Sequence, residues 1–196
     1  GPLGVSVTGK ALKNGIWGLK TINIRDFAND QRGSVDDSPF GGGPGMVIRP
    51  DILDKAIEFS NSKFTNKLNT KTVYLSPRGK KFDQEYAKKL ANYESLSIIC
   101  GRYEGIDERV INTRNIEEIS LGDFITSGGE NTAFVLIDVI VRLLPGVLGS
   151  SESLVEESFT NNLLEYPQYT RPKLWNKEEV PEVLLSGNHA KIKSWR

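Results

Sequence analysis

The chain has 196 residues with 38% apolar content, enough for one compact core and a small appendage, and its 25 basic and 25 acidic residues cancel. That balance argues against a histone-like polycation, although local patches could still hold a specific RNA. The single cysteine, Cys100, excludes an internal disulfide and a cysteine zinc cluster within one chain, and the single histidine, His189, leaves proton transfer near neutral pH to carboxylates and tyrosines.

No apolar run reaches bilayer length and the start has no basic and apolar leader, so a soluble, cytoplasmic protein is expected. Gly1-Pro2-Leu3-Gly4 reads either as the scar of tag removal or as native sequence. Asp36 to Met46 packs glycines between two prolines (Pro39-Phe40-Gly41-Gly42-Gly43-Pro44-Gly45), without the lysine and hydroxyl of a Walker loop. Such a run suits a backbone wall against a flat ligand. A strand-like Val47-Ile48 follows, then a helix primed by Pro50 and Asp51.

Thr72 to Leu75 is a short β-rich run stopped by Ser76-Pro77-Arg78-Gly79, and Asp83 to Tyr93 places Tyr86, Leu90 and Tyr93 on one helical face. Ile98-Ile99-Cys100 then breaks into Gly101-Arg102-Tyr103-Glu104-Gly105, where two glycines let backbone approach a small molecule. A third run, Ile119 to Thr126, enters Ser127-Gly128-Gly129-Glu130 before a helix expected over 131–144, whose only charges are Asp138 and Arg142. Strands alternating with helices predict an α/β fold with a parallel sheet, and ligands gather outside the carboxyl ends of such strands, where all three loops fall. Cys100, inside an apolar strand, reads as a packed thiol.

From Pro145 the chain reads as a linker, but Phe159, Leu163, Leu164, Tyr166 and Tyr169 are anchors that a passive tether does not need. Ser186-Gly187-Asn188-His189 is a turn that opens a last helix.

Taken in order, Gly41 to Met46, Gly101 to Arg109, Gly122-Asp123 with Ser127-Gly128-Gly129-Glu130, Tyr169-Thr170-Arg171-Pro172 and Ser186 to His189 resemble the bacterial tRNA (guanine-N1)-methyltransferase family, from about Val7 to Arg196. The resemblance implies a SPOUT-class α/β domain with a deep trefoil knot over 1–148 (its first strand largely missing), an interdomain linker over 149–172 and the start of a truncated helical, tRNA-binding C-terminal domain over 173–196. It implies a homodimer with shared active sites, in which one subunit's linker completes the other's site. It also implies methyl transfer from S-adenosylmethionine to N1 of guanosine at position 37 of tRNA, next to the anticodon, leaving S-adenosylhomocysteine.

By the same resemblance the cofactor is held by Tyr74, Leu75, Ser76 and Pro77, by Gly101, Tyr103, Glu104 and Gly105, and by Leu121, Gly122, Asp123, Phe124, Ile125, Thr126, Gly128 and Gly129. Glu104 would face the methionine end of the cofactor or a magnesium ion. Asp36, Gly43, Gly45, Arg171, Asn188 and His189 would meet tRNA. N1 of guanine is a poor nucleophile until its proton leaves, so a base and a stabiliser for charge building on O6 are needed. Glu157, in Glu156-Glu157-Ser158-Phe159, stands where the family carries an aspartate base, with Glu156 as the alternative, and Arg142 matches a family arginine beside the guanine. Asn131-Thr132 replaces the Leu-Pro that often follows the Ser-Gly-Gly-Glu motif. Two other readings compete: an RNA-binding module without catalysis, and a conventional α/β nucleotide-binding enzyme, for which neither a G-x-G-x-x-G after a strand nor a Walker lysine is present.

Overall fold

The computed structural model describes residues 1–64, 69–148 and 166–196. The chain divides into two compact units, Gly1–Gly149 and Ser150–Arg196. In the first, a single 3-10 turn at Pro2–Gly4 leads into α1 (Ser6–Lys13). Leu3 is buried, and Gly9 approaches Gly4 so closely that a Cβ on Gly9 would stand 2.2 Å from the Gly4 carbonyl carbon. The opening residues are thus packed into the unit. The Thr8 hydroxyl of α1 donates to the Asp138 carboxylate, which gives one of the two charges in the apolar helix a partner.

A short antiparallel hairpin follows, β1 (Asp36–Asp37) and β2 (Val47–Ile48), with the glycine-rich run as its loop. Then come α2 (Pro50–Ser62), β3 (Thr70–Lys81), α3 (Gln84–Ala91), β4 (Ser95–Cys100), α4 (Glu108–Arg114), β5 (Glu117–Ser120) and α5 (Gly129–Val141). Pro50 at the first turn of α2 pre-sets its backbone angle where no N–H partner is needed. Asp83 and Asp107 cap α3 and α4 by accepting from the backbone N–H groups of Tyr86 and Arg109.

The expected parallel sheet is present: β4, β3 and β5 lie side by side in that order, all parallel. Alternation along β3 sends Val73 and Leu75 to one face, where Tyr86, Leu90, Leu136 and Ile140 of α3 and α5 cover them. Tyr74 faces the other way, into a layer with Leu53, Ile57, Val110 and Ile111 of α2 and α4. Each fully buried aliphatic side chain contributes about 1.5–3 kcal/mol. Leu136, wholly buried, is therefore a position where truncation to alanine opens a cavity costing about 2–5 kcal/mol.

Three boundaries differ from the sequence reading. The strand expected to stop at Leu75 runs on to Lys81 through a four-residue bulge, because Ile119 of β5 is opposite both Leu75 and Lys80. Ser76-Pro77-Arg78-Gly79 is that bulge, and it closes on β5 so tightly that a Cβ on Gly79 would stand 2.3 Å from the Ile119 nitrogen. Gly129 rather than Asn131 opens α5, and Val141 ends it. α3 stops at Ala91, leaving Tyr93 about a third exposed, at 36%.

In the second unit, the Tyr166 and Tyr169 rings lie 6.3 and 6.1 Å from the ring of Trp195. β6 (Leu174–Trp175) and β7 (Glu178–Glu179) form a hairpin whose turn, Asn176-Lys177, has left-handed backbone at both residues. α6 (Glu182–Leu185) and α7 (His189–Trp195) follow, and the Asn188 side chain caps α7 by accepting from the Lys191 N–H. Of the linker expected over 149–172, residues 149–165 lie outside the described residues, and the tyrosines at its end pack within this unit. Among the described residues no helix is long and apolar enough to cross a membrane.

Candidate active site

The loops after β3, β4 and β5 converge on one cleft of about 450 Å³ in the first unit, within the range of small-molecule sites. Tyr74, Leu75, Ser76 and Pro77 line it from the β3 bulge. Gly101, Tyr103, Glu104 and Gly105 line it from the loop after β4, and Leu121, Gly122, Phe124, Ile125, Thr126, Gly128 and Gly129 from the segment after β5. Asp123, the remaining candidate on these loops, is exposed and is not among the lining residues.

The glycines have steric reasons. A Cβ on Gly101 would meet the Tyr74 ring at 2.8 Å, and one on Gly105, at φ 119°, would stand 3.1 Å from its hydroxyl. The two glycines thus bracket the aromatic side chain that floors the cleft, leaving backbone rather than side chain at that wall. Gly129 lies against the end of β4: its N–H donates to the Gly101 carbonyl at 2.9 Å, and a Cβ would stand 2.7 Å from the Cys100 Cα. The chain leaving β5 at one sheet edge therefore crosses the end of β3 and starts α5 against β4 at the other edge.

Ion pairs tie the loops together. Arg78 in the bulge reaches Glu108 at 2.8 Å and Glu118 at 3.2 Å, and Arg102 reaches Glu130 at 2.9 Å across Gly128. The hydrogen bond to Glu108, then the charge of Glu118, raise the Arg78 pKa. Burial, then the Glu118 charge, push the Tyr74 hydroxyl up, so it stays protonated near neutral pH. Burial, with a smaller push from the Glu130 charge, lifts the Cys100 thiol to about 11, in keeping with a packed side chain rather than a nucleophile.

The glycine hairpin is stitched to the same cleft. The Ile48 N–H donates to the Gly105 carbonyl at 2.9 Å, the Asp107 N–H to the Ile48 carbonyl at 3.2 Å, and the Glu104 N–H to the Met46 carbonyl at 2.9 Å. Gly45, at φ 86°, packs against the Glu104 side chain, where a Cβ would stand 2.4 Å from Cγ. Gly45 and Glu104, assigned by sequence to different ligands, are neighbours. Asp36 sits half-buried in β1 opposite Ile48, and Gly43 is exposed in the hairpin loop. Among the described residues no cluster of three or more histidine, cysteine, aspartate or glutamate side chains is placed to hold a metal ion, so Glu104 belongs to no such cluster.

Other candidates fall elsewhere. Arg142 terminates α5 and does not line the cleft; thirteen helical residues place it about 20 Å from Gly129 along the axis. Glu156 and Glu157 lie outside the described residues. Arg171, Asn188 and His189 are exposed in the second unit. The structure also adds lining residues that sequence reasoning had not assigned: Arg78, Arg102, Ile106, Glu108, Ile119, Ser120, Ser127 and Thr132. No local pattern reveals the roles of Arg78 and Arg102, because their partners Glu108 and Glu130 lie 30 and 28 residues further along the chain. Thr132 has its hydroxyl 3.4 Å from that of Thr126.

The chain matches the family model of tRNA (Guanine-1)-methyltransferase TrmD over residues 1–196, so the match includes Gly1 to Gly4. Among curated relatives, one from Pelagibacter ubique is 56% identical over 196 residues, covering 100% of this chain and 84% of the relative. One from Rhodospirillum rubrum is 54% identical, covering 100% and 80%, and one from Anaplasma phagocytophilum is 51% identical, covering 100% and 83%. All three carry the name tRNA (guanine-N(1)-)-methyltransferase.

Proposed function

Because the chain belongs to the tRNA (guanine-1)-methyltransferase family, we propose that it transfers a methyl group from S-adenosylmethionine to N1 of guanosine 37 of tRNA. The observation that carries the reading is the convergence of the three strand-end loops on one cleft whose wall at Gly101 and Gly105 is bare backbone. A nucleoside-sized ligand fits such a wall, since flat rings pack on peptide planes where no Cβ intervenes, and the cleft volume suits it. Bound there, S-adenosylmethionine supplies an electrophilic methyl group on sulfur and departs as S-adenosylhomocysteine.

The chain's residues then have the following tasks. Tyr74, Gly101 and Gly105 form the floor and wall, and Leu121 to Gly129 covers the cleft from the β5 side. The Arg102–Glu130 and Arg78–Glu108 pairs hold these loops in one arrangement, so positioning is established before substrate arrives. Glu157 accepts the N1 proton of guanine, and the Arg142 guanidinium stabilises the charge that gathers on O6. The distance of Arg142 from Gly129 favours its action on the site of a second subunit, in a homodimer whose linkers complete each other's sites.

The path of residues 121–129 from one sheet edge to the other, past the β3 bulge, supports a trefoil knot of the SPOUT class. The second unit, with Arg171, Asn188 and His189, is read as part of a C-terminal tRNA-binding domain, and the enzyme as cytoplasmic.

The test is transfer of labelled methyl from S-adenosylmethionine to a tRNA transcript with guanosine at position 37, against one with adenosine there. Label confined to the first transcript, at N1, is the expected result. Cofactor binding without any transfer would favour the RNA-binding module, and dinucleotide binding in its place the conventional nucleotide enzyme.

A further inference from the structure

We infer that Arg25 is an anchoring point for a phosphodiester group of the RNA substrate at the rim of the cleft, an inference that rests on the reading above. Arg25 lies on a 3-10 turn, Ile24–Phe27, started by Asn23, whose side chain accepts from the Arg25 N–H. The turn is fastened to α2 by Phe27, whose ring lies 5.5 Å from that of Phe59. From this base the guanidinium donates from Nη1 to the Gly33 carbonyl at 2.7 Å and from Nη2 to the Tyr103 hydroxyl at 3.4 Å. Tyr103 lines the cleft, with left-handed backbone at φ 59°.

The partners decide what this arginine can do. Arg49, Arg78, Arg102, Arg109 and Arg114 each pair with a carboxylate at 3.2 Å or less. Arg25 is held by a carbonyl and a phenol, and among the described residues no carboxylate pairs with it. Neutral acceptors fix the side chain without cancelling its charge. A guanidinium carries five N–H donors, and these two bonds leave donors in the planar fork that matches a phosphate. Gly33 is part of the fixture: its backbone is left-handed at φ 68°, and the Asp30 carboxylate holds its loop by accepting from the N–H groups of Arg32 and Ser34. An exposed, pre-positioned cation beside a cleft that must admit one nucleotide of a folded RNA suits the backbone of that RNA, because phosphates dominate such affinity.

The same chemistry could take the cofactor's carboxylate, and the experiment separates the two. Arg25→Lys, Arg25→Gln and Arg25→Ala are compared in the full chain, after thermal unfolding has shown each to fold. Affinity for a labelled tRNA transcript is measured across potassium chloride concentrations, and affinity for S-adenosylmethionine by calorimetry. The expected result is a roughly tenfold loss of tRNA affinity for Arg25→Gln and Arg25→Ala, with the slope of log K against log salt reduced by about 0.7–0.9, the value for one lost phosphate contact. Arg25→Lys keeps the slope, and cofactor affinity stays within twofold. An unchanged slope in Arg25→Gln overturns the inference, as does a loss confined to the cofactor. If Arg25→Ala fails to fold, Arg25→Gln alone decides, since it retains a neutral donor for the Gly33 carbonyl. Methyl transfer by the unsubstituted chain tests the parent reading separately, so the two failures are distinguishable.

Discussion

Gly101 faces the ring of Tyr74 so closely that a Cβ on it would stand 2.8 Å from Cε2 and 2.9 Å from the hydroxyl oxygen. Tyr74 is buried against α2 and α4, so its ring has little freedom on the core side. Gly101→Ala should therefore displace the cleft floor, at about 1–3 kcal/mol of overpacking. Cofactor affinity, measured by calorimetry, should fall about tenfold or more. Unchanged affinity in a folded variant would sink the assignment of this wall to the cofactor.

Gly129→Ala should be worse for stability than for binding alone. Its Cβ would meet the Cys100 Cα at 2.7 Å and the Gly101 nitrogen at 3.0 Å, and backbone cannot rotate aside as a side chain can. A loss of about 2–4 kcal/mol is expected, read as a melting temperature lower by several degrees. Gly18 is the control: a Cβ there meets nothing within 4 Å and its backbone is not left-handed, so Gly18→Ala should be nearly neutral.

Glu130→Gln should barely change stability, because the Arg102–Glu130 pair is about half exposed on both sides and such pairs are worth about 0–1 kcal/mol. Its effect should appear instead in KM for the cofactor, since the pair joins two of the loops around the cleft. A double-mutant cycle with Arg102→Gln would show the coupling as non-additive KM values, and strict additivity would refute a shared task.

Glu157→Gln should abolish most methyl transfer, by about 10²–10⁴-fold for loss of a general base, while leaving cofactor affinity intact. Arg142→Ala should lower kcat in the same assay. Full activity in Glu157→Gln would move the base to Glu156 or elsewhere.

The thiol of Cys100, at about 11 rather than 9.0, should react slowly with iodoacetamide at pH 8 and rapidly once urea unfolds the chain. The linkage has a definite sign. A thiol whose pKa is raised by folding keeps its proton in the folded state after the unfolded chain has lost it, so this group's contribution is intact below about pH 9 and is lost as pH rises toward about 11. Urea unfolding of the chain and of Cys100→Ala at pH 8 and pH 10.5 should show the smaller alkaline loss in the variant.

The sheet and the cleft loops were legible because their signals are local. Apolar β-rich runs that break at glycine announce a strand and its exit, as at Cys100-Gly101, and Pro50 or Asp83 marks a helix start by backbone geometry alone. The β3 bulge was hidden because Pro77 and Gly79 look like a strand's end to any local rule, and only the return of Lys80 opposite Ile119 shows otherwise. The opening of α5 at Gly129 was hidden for a related reason, since its place is set by contact with Cys100.

Residue type and spacing were enough to establish an α/β chain with a parallel sheet whose three strand-end loops line one cleft and carry glycines along its wall. Which of those turns touch, and through what, depended on chain paths that no window of neighbouring residues contains. Gly45 meets Glu104, Arg25 meets Tyr103, and Arg102 meets Glu130 across separations of 28 to 78 residues. Folding alone sets such distances, because each pairing is a small term that wins only after the buried faces of the sheet have brought its two ends together.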